Sequence, residues 1–334
     1  MQINSSPEDT TQPVKHAWLI ALVNLFLVAA LTLGHASKSR VLLNWRFLID
    51  FDGDQPFQSR VLIFMIANAV SRFHSLSNRG ISLLFMGIDF LSTIVAVVFL
   101  WMAWWSMGRR GGSLLTLFFL FWWQLFATFV VSSYNNYYYP YDMSSLAFMA
   151  IGLWMVVSRQ PLWALLALSV PAMMNRETWV VVPFFYLAFN WPASRQVWRD
   201  FGLLLAACVA VKLIISACLG ASSDDMVSLY HVPGFLRLYY NFAFIWLGPE
   251  YRPTANVFFA FGGAWVLLLL KDKADVRLRR MMLTFIPFFL GMMVVGNLSE
   301  IRIFTEFIPL MALLLTNKLS VPAGKAEPAS TLLA

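Results

Sequence analysis

The sequence predicts an all-α polytopic membrane protein with about ten transmembrane helices. Of its 334 residues, 60% are hydrophobic and only 12% are charged, about half the charged share of ordinary soluble domains. The mean hydropathy is +0.68, and apolar runs recur from residue 17 to residue 316. This composition excludes a soluble globular enzyme and a disordered chain. The two cysteines, Cys208 and Cys218, share one apolar run, which excludes a disulfide scaffold.

Ten apolar runs are candidate spans, because a transmembrane helix needs about 20 mostly apolar residues and fewer where neighbouring helices shelter it. The runs are 17–34, 81–107, 113–131, 144–158, 161–174, 178–190, 201–219, 255–270, 281–296 and 303–316. An alternative for the fifth and sixth runs is that they form a single re-entrant pair of helices. The run 61–70, flanked by Arg60 and Arg72, is too short to span, so we expect an amphipathic interfacial helix within a long first outer loop.

The distribution of Lys and Arg sets the predicted orientation, since these residues are enriched in cytoplasmic loops. The most basic loop, 271–280, is placed in the cytoplasm, and both chain ends then lie there too. That side holds 13 Lys/Arg and 6 Asp/Glu, against 10 and 9 on the outer side. The formal net charge of +7 is therefore a topology signal that implies no nucleic acid. We expect a multi-pass protein of the bacterial inner membrane.

This topology divides the chain into a disordered cytoplasmic tail at 1–16, a single transmembrane domain at 17–316 and a cytoplasmic tail at 317–334. Outer loops are expected at 35–80, 132–143, 220–254 and 297–302. The polar residues without an obvious solubilising role cluster at the outer helix ends. They are Asp50, Asp52, Asp54, Arg60, Asn136, Tyr139, Asp142, Asn175, Arg176, Glu177, His231, Asn297, Glu300, Arg302 and Glu306. Charges near membrane depth are costly and tend to face a cavity and pair, so these clusters predict one polar site.

Each cluster also has a simpler structural interpretation. The run 50–54 fits a solvated turn, and its alternating carboxylates are typical of a cation loop, although no Glu follows at the twelfth position. Arg176 fits a structural salt bridge with Glu177 or with another buried charge. Arg302 and Glu306 lie four residues apart and are expected to pair on one helix face. The tyrosines fit an interfacial aromatic belt.

The functional interpretation of these residues is recognition of a lipid-linked phosphate and a sugar. The fork of an arginine such as Arg176 pairs bidentately with phosphate oxygens. Tyr139 and its neighbours offer flat apolar faces to a sugar ring, and Asn136 and Asp142 offer hydrogen bonds to hydroxyl groups. Carboxylates suit an acceptor hydroxyl that loses a proton as it attacks. Together these groups describe glycosyl transfer from a polyprenyl-phosphate or polyprenyl-diphosphate sugar.

Other chemistries lack support in the sequence. The four histidines are dispersed without ligand spacing, so neither a zinc nor a haem site is predicted. The chain has no P-loop, no nucleophile elbow and no dinucleotide fingerprint, which excludes ATP hydrolysis by this chain. The predicted chemistry requires no cofactor, and a divalent cation at the acidic run is an alternative.

The layout of the chain resembles the GT-C superfamily of integral-membrane glycosyltransferases, in a bacterial form that uses polyprenyl-phosphate sugars. The similarity rests on many spans, a long first outer loop with an acidic run and a jutting amphipathic helix, and charged residues at other outer helix ends. It implies that Asp54 or Asp52 is the catalytic base and that Arg60, Arg176 and Arg302 bind the donor phosphate. The remaining residues of the outer clusters would bind substrate. The chain departs from the family in having fewer spans and no soluble C-terminal domain.

Three alternatives stay open. A transporter or flippase of lipid-linked saccharides needs polar groups along its whole path. The predicted spans contain few charged residues, essentially Lys212 and Asp89. We expect Lys212 to snorkel or pair and Asp89 to neutralise a basic neighbour. A polymerase or ligase would differ in its larger acceptor, and a non-catalytic assembly subunit would use the clusters as interface salt bridges. The expected partners are a lipid-linked sugar donor, a glycan or lipid-linked acceptor, and membrane lipids.

Overall fold

The part of the chain that the computed structural model describes is almost entirely helical. The described residues are 17–39, 41, 44–51, 59–108, 113–132, 137–219, 231–232, 235–246, 257–270, 274–298 and 300–319. The α-helices are α1 (Ala17–Lys38), α2 (Trp45–Ile49), α3 (Val61–Phe73), α4 (Asn78–Ser106), α5 (Ser113–Phe126), α6 (Asp142–Val157), α7 (Leu162–Asn175), α8 (Val181–Phe189), α9 (Arg195–Leu219), α10 (Arg237–Trp246), α11 (Val276–Leu283), α12 (Phe285–Val295) and α13 (Ile308–Leu319).

Shorter elements complete the described chain. A π-helical segment (Ala127–Val131) continues α5, and 3₁₀ segments lie at Glu177–Val180, Ala260–Leu269 and Ile301–Phe307. The strands β1 (His231–Val232) and β2 (Phe235–Leu236) form a small antiparallel pair directly before α10, with His231 opposite Leu236. The predicted all-α class is confirmed apart from this two-stranded hairpin.

Five helical stretches are long and apolar enough to cross a membrane, which supports the predicted membrane protein. They are Trp18–Lys38, Asn78–Ser106, Leu114–Val131, Arg195–Leu219 and Val276–Val295, the last of which joins α11 and α12. The other five predicted spans coincide with helical segments of 10 to 17 residues. The total of ten spans therefore stays a prediction. A helix does form over the predicted interfacial run, as α3, and its place in the interface likewise stays a prediction.

The core of the bundle is built around α6 and α13. Twelve of the sixteen residues of α6 are buried, and α13 is buried from Ile308 to Asn317. Both helices are apolar on nearly every side, and such helices are stable only where other helices surround them. In contrast, α1, α4 and α9 expose large apolar side chains such as Phe26, Leu91 and Leu213, as lipid-facing helices do.

Three irregular helix ends meet at one end of this core. Helix α7 stops at Asn175, and Arg176 is extended (φ −162°, ψ 137°) before the chain resumes as a 3₁₀ turn. Helix α6 begins at Asp142, and a 3₁₀ segment precedes α13. Helix termini leave backbone groups and side chains free to take other partners. The polar residues of these three ends are therefore brought into contact.

Candidate functional site

Four charged side chains meet where α6 begins, where α7 ends and where the 3₁₀ segment before α13 lies. Arg176 Nη1 is 3.2 Å from Asp142 Oδ1 and 2.9 Å from Glu306 Oε1. Arg302 Nη1 donates to Asp142 Oδ2 at 2.8 Å. All four residues are no more than 6% exposed. We call Asp142, Arg176, Arg302 and Glu306 the ionic cluster.

Neutral and charged neighbours extend the ionic cluster at both sides. The Thr178 hydroxyl donates to Glu306 Oε1 at 2.8 Å, so this oxygen has a hydrogen bond in addition to its ion pair with Arg176. Arg302 Nη2 also pairs with Glu300, whose other carboxylate oxygen accepts from Asn297 Nδ2 at 3.1 Å. The carboxylates are thus held in place by donors from three chain segments.

The expected pairing of Arg302 with Glu306 is wrong. Arg302 pairs with Asp142 and Glu300, whereas Glu306 pairs with Arg176. The expectation assumed an α-helix, in which residues four apart share a face. Residues 301–307 instead form a 3₁₀ helix with about three residues per turn, so a four-residue spacing points the two side chains in different directions.

A second group of polar residues surrounds Glu177, which is half-buried beside the ionic cluster. Lys212 Nζ and Ser59 Oγ each donate to Glu177 Oε1 at 2.7 Å. Arg60 Nε lies 3.5 Å from Glu177 Oε2, an ionic contact without hydrogen-bond geometry. Burial raises the pKa of Glu177, but the charges of Arg60 and Lys212 outweigh it and lower the pKa to about 2. We call Ser59, Arg60, Glu177 and Lys212 the Glu177 group.

The tyrosines at 139 and 141 join the two groups. The guanidinium carbon of Arg302 lies 3.8 Å from the ring centroid of Tyr139, and that of Arg60 lies 4.6 Å from the ring of Tyr141. Arg60 Nη1 also donates to the Tyr141 hydroxyl at 2.5 Å. The two rings stack on each other at 5.4 Å. Tyr139, predicted as a sugar-stacking surface, thus carries Arg302 on its ring.

The charges of these groups balance. Arg60, Arg176, Arg302 and Lys212 supply four positive charges, and Asp142, Glu177, Glu300 and Glu306 supply four negative ones. Buried charges persist in proteins when they are paired in this way.

Four buried polar atoms of these residues have no hydrogen-bond partner within the described chain. They are Nε of Arg60, Arg176 and Arg302, and Oε2 of Glu306. A buried donor without a partner costs about 1–3 kcal/mol. An unpartnered Nε–H group is a donor of the kind that phosphate or carboxylate oxygens accept from.

An apolar groove of about 770 Å³ lies between α3, α7 and α9. Its walls are apolar apart from Asn68 and Arg72. Three of its lining residues stand next to charged residues of the site in the sequence. Val61 follows Arg60, Val211 precedes Lys212, and Met174 lies two residues before Arg176. The groove is therefore lined by close sequence neighbours of Arg60, Arg176 and Lys212.

Several predicted site residues lie elsewhere. Asp50 is exposed at the end of α2. Asn175 is fully buried, where it bonds to Ser144, to Ser145 and to the Tyr141 carbonyl. The two predicted bases, Asp52 and Asp54, lie outside the described residues, as do Asn136 and the side chain of His231.

Sequence reasoning did not assign three residues that belong to the site. Ser59, Tyr141 and Thr178 each bond to a charged residue of the site. Their positions directly beside Arg60, Asp142 and Glu177 are the only sequence signal for them. Lys212 pairs with Glu177, which is one of the two outcomes expected for it.

The comparisons with known proteins do not name a family. No protein-family model matches the chain, and neither a curated protein nor a solved structure matches it. Within the described residues, no three His, Cys, Asp or Glu side chains are grouped in a way that could hold a metal ion.

Proposed function

We propose that this protein is a membrane glycosyltransferase of GT-C-like architecture, with ten spans and both termini in the cytoplasm. It would transfer a sugar from a polyprenyl-phosphate-linked donor to a periplasmic or lipid-linked acceptor at the outer face of the bacterial inner membrane. The observation that carries this proposal is the group of three arginines, Arg176 and Arg302 buried and Arg60 partly buried, together with an apolar groove lined by Val61 and Met174, which lie close to Arg60 and Arg176 in the sequence. This arrangement suits a ligand with a long apolar tail and an anionic head.

The arginines would bind the phosphate of the donor. Arg176 and Arg302 keep Nε–H donors without a hydrogen-bond partner among the described residues, Arg60 Nε has only its ionic contact with Glu177, and phosphate oxygens are strong acceptors for such donors. The cationic groups would also stabilise negative charge on the departing phosphate as the glycosidic bond breaks. The polyprenyl chain would lie in the groove between α3, α7 and α9.

The acidic run would supply the base that takes the proton of the acceptor hydroxyl, with Asp54 or Asp52 in that role. Ser59 and Arg60 follow this run closely in the sequence, and they bond to Glu177 and Tyr141. The chain is therefore anchored at the site a few residues after the proposed base. The reaction requires no nucleotide, and a divalent cation at the acidic run remains part of the proposal to be tested.

The base is tested with Asp52→Asn and Asp54→Asn, singly and combined, in protein reconstituted with lipid-linked sugars extracted from bacterial membranes. We expect the decisive variant to lose transfer while it remains folded in the membrane. Asp275→Asn is the control, because this carboxylate pairs with Arg277 and is assigned no part in the site. Full transfer by the double variant would remove the catalytic assignment. Movement of the donor across the membrane without a new glycosidic bond would instead identify a flippase.

The phosphate site is tested with Arg176→Lys and Arg302→Lys, which keep the positive charge beside Asp142 and lose the Nε–H donor. We expect the dissociation constant for undecaprenyl phosphate to rise about tenfold in each variant, as the loss of one charge-assisted hydrogen bond predicts. Arg279→Lys, at an exposed position on α11, is the control. Unchanged affinity in both site variants would rule out the phosphate clamp.

The proposed topology has its own test. A cysteine introduced at position 136 should react with a membrane-impermeant label in intact cells. Reaction only after permeabilisation would invert the topology.

A further inference from the structure

A buried polar pair joins α1 to α4 near the site. His35 Nδ1 and Asp89 Oδ2 are 3.2 Å apart, and both side chains are completely buried. Asp89 lies twelve residues into one of the candidate membrane spans. An unpaired carboxylate at such depth is costly, so the histidine partner accounts for its presence there.

Aromatic rings enclose this pair. The His35 ring lies edge-on to Phe129 of the π-helical segment at 4.8 Å and tilted against Tyr138 at 4.7 Å. The preceding residue, Gly34, packs closely against the Val130 side chain of the same π-helical segment, since a Cβ on Gly34 would lie 2.8 Å from Val130 Cγ2. A π-helical turn is often retained where it serves a site. The pair therefore has little room to move.

Tyr138 links the pair to the rest of its own segment. Its buried hydroxyl interacts electrostatically with the Asp89 carboxylate. Within the described chain, this hydroxyl, Asp89 Oδ1 and His35 Nε2 have no well-formed hydrogen bond. If His35 donates its Nδ1 proton to Asp89, then both Asp89 Oδ1 and His35 Nε2 are acceptors for the tyrosine hydroxyl.

The segment that begins with Tyr138 holds three arginines of the site. Tyr139 lies against Arg302, the Tyr141 hydroxyl accepts from Arg60, and Asp142 pairs with Arg176 and Arg302. Tyr138 is the first residue of this five-residue segment, so its packing against His35 sets the position at which the segment begins. The buried pair gives the start of this segment polar neighbours on both α1 and α4.

We propose that Asp89, acting through His35 and Tyr138, positions the segment 138–142 and thereby aligns the arginines that receive the donor phosphate. Asp89 and His35 are positioning residues in this proposal, since their hydrogen bond joins them to each other and, among the described residues, no hydrogen bond or ion pair joins either one to the ionic cluster. The inference rests on the proposed function for its ligand. The part of the inference that concerns the position of segment 138–142 does not depend on the proposed function.

Asp89→Asn and Tyr138→Phe test the proposal, because each removes one polar feature and keeps the shape of the side chain. Thr93→Val is the matched control, since Thr93 is fully buried one turn further along α4 and bonds only to the carbonyl of its own helix. Hydrogen exchange of the peptide that contains residues 138–142 is followed in each variant. Binding of undecaprenyl phosphate is measured on the same samples.

We expect both test variants to lose protection in this peptide and to bind undecaprenyl phosphate about tenfold more weakly, while Thr93→Val matches the unmodified protein. Saturation with the lipid should restore the lost protection, because coupling between two sites is reciprocal. If Asp89 and Tyr138 had a merely structural role, the lipid would not restore the hydrogen-exchange protection lost in their variants.

Two results overturn the inference. One is unchanged affinity and unchanged exchange in both variants, and the other is loss of protection throughout the protein that the lipid does not restore. If the unmodified protein binds no undecaprenyl phosphate, the proposed function fails. Local loss of protection at 138–142 would then still establish the positioning role.

Discussion

The arginines at the two ends of the helical bundle differ in how they are paired. Arg176 and Arg302 are buried, and both pair with Asp142 on another helix, 160 residues from Arg302, although Arg302 also pairs with nearby Glu300. At the opposite end, Arg277 pairs with Asp275 two residues before it, and Arg280 Nη1 donates to the Trp191 carbonyl. The same residue type thus binds the carboxylate of a distant helix at one end, whereas at the other end the carboxylate partner of Arg277 is local in sequence.

This difference shows that the role of an arginine in this protein depends on its position in the helical bundle. The arginines at 277–280 belong to the basic loop that sets the proposed cytoplasmic orientation, a role that needs charge and no fixed partner. Arg176 and Arg302 hold carboxylates in a fixed arrangement, a role that needs a defined geometry. Substitutions at the two ends should therefore have unequal effects on stability and on binding.

The largest expected effect is that of Arg302→Ala. This change removes a partner of Asp142 and of Glu300, and loss of one member of a buried ion pair costs about 3–5 kcal/mol. Arg279→Ala, at an exposed position, should stay within about 0.5 kcal/mol of the unmodified protein. Thermal and chemical unfolding in detergent measures both. Equal stability of the two variants would remove the distinction between the two ends.

Double-mutant cycles test the comparison on individual ion pairs. We expect a coupling energy of about 1–3 kcal/mol between Arg302 and Asp142, because the two are in contact and buried. The pair Arg277–Asp275, in which the arginine is 41% exposed, should show less than about 1 kcal/mol. The free energies of unfolding of each pair of single variants and the double variant give these values. A larger coupling energy for Arg277–Asp275 than for Arg302–Asp142 would contradict the expectation that the buried pair stabilises the fold more than the exposed pair.

The pH dependence of stability provides a smaller effect at the same end. The pKa of Glu177 falls from 4.5 to about 2, so its interactions stabilise the fold above the unfolded pKa. That contribution is lost as the pH falls through the folded pKa. The difference in melting temperature between the unmodified protein and Glu177→Gln should thus be full near neutral pH and shrink below about pH 4. A difference that grows on acidification would reverse the sign of this linkage.

The sequence was sufficient for the class of the fold and for part of the site. The apolar runs located the helices, and the short runs on either side of residues 175–177 indicated the break where Arg176 now lies. The convergence of Asp142, Arg176 and Arg302 followed from the cost of charge near membrane depth.

Other features depend on contacts that no local pattern contains. His35 and Asp89 are 54 residues apart, and each was an isolated polar residue until α1 packed against α4. Asn241 bonds to carbonyls at the end of α12 from a helix whose position the sequence did not give. The 3₁₀ form of residues 301–307 changed the partners of Arg302 and Glu306, because helix periodicity was assumed and was not observed there.

The smallest expected effect concerns Arg277, whose guanidinium carbon lies 5.0 Å from the ring centroid of Phe189. Arg277→Gln removes this contact and the ion pair with Asp275, and exposed contacts of both kinds contribute about 0.5–1 kcal/mol each at most. Added salt should erase much of this loss, because ions screen exposed charges, whereas the loss in Arg302→Ala should persist at high salt. Melting temperatures of both variants at low and high ionic strength provide the measurement. If salt erased the effect of Arg302→Ala as well, the ionic cluster would be open to solvent, and the phosphate clamp would lose the dehydrated environment that makes its hydrogen bonds strong.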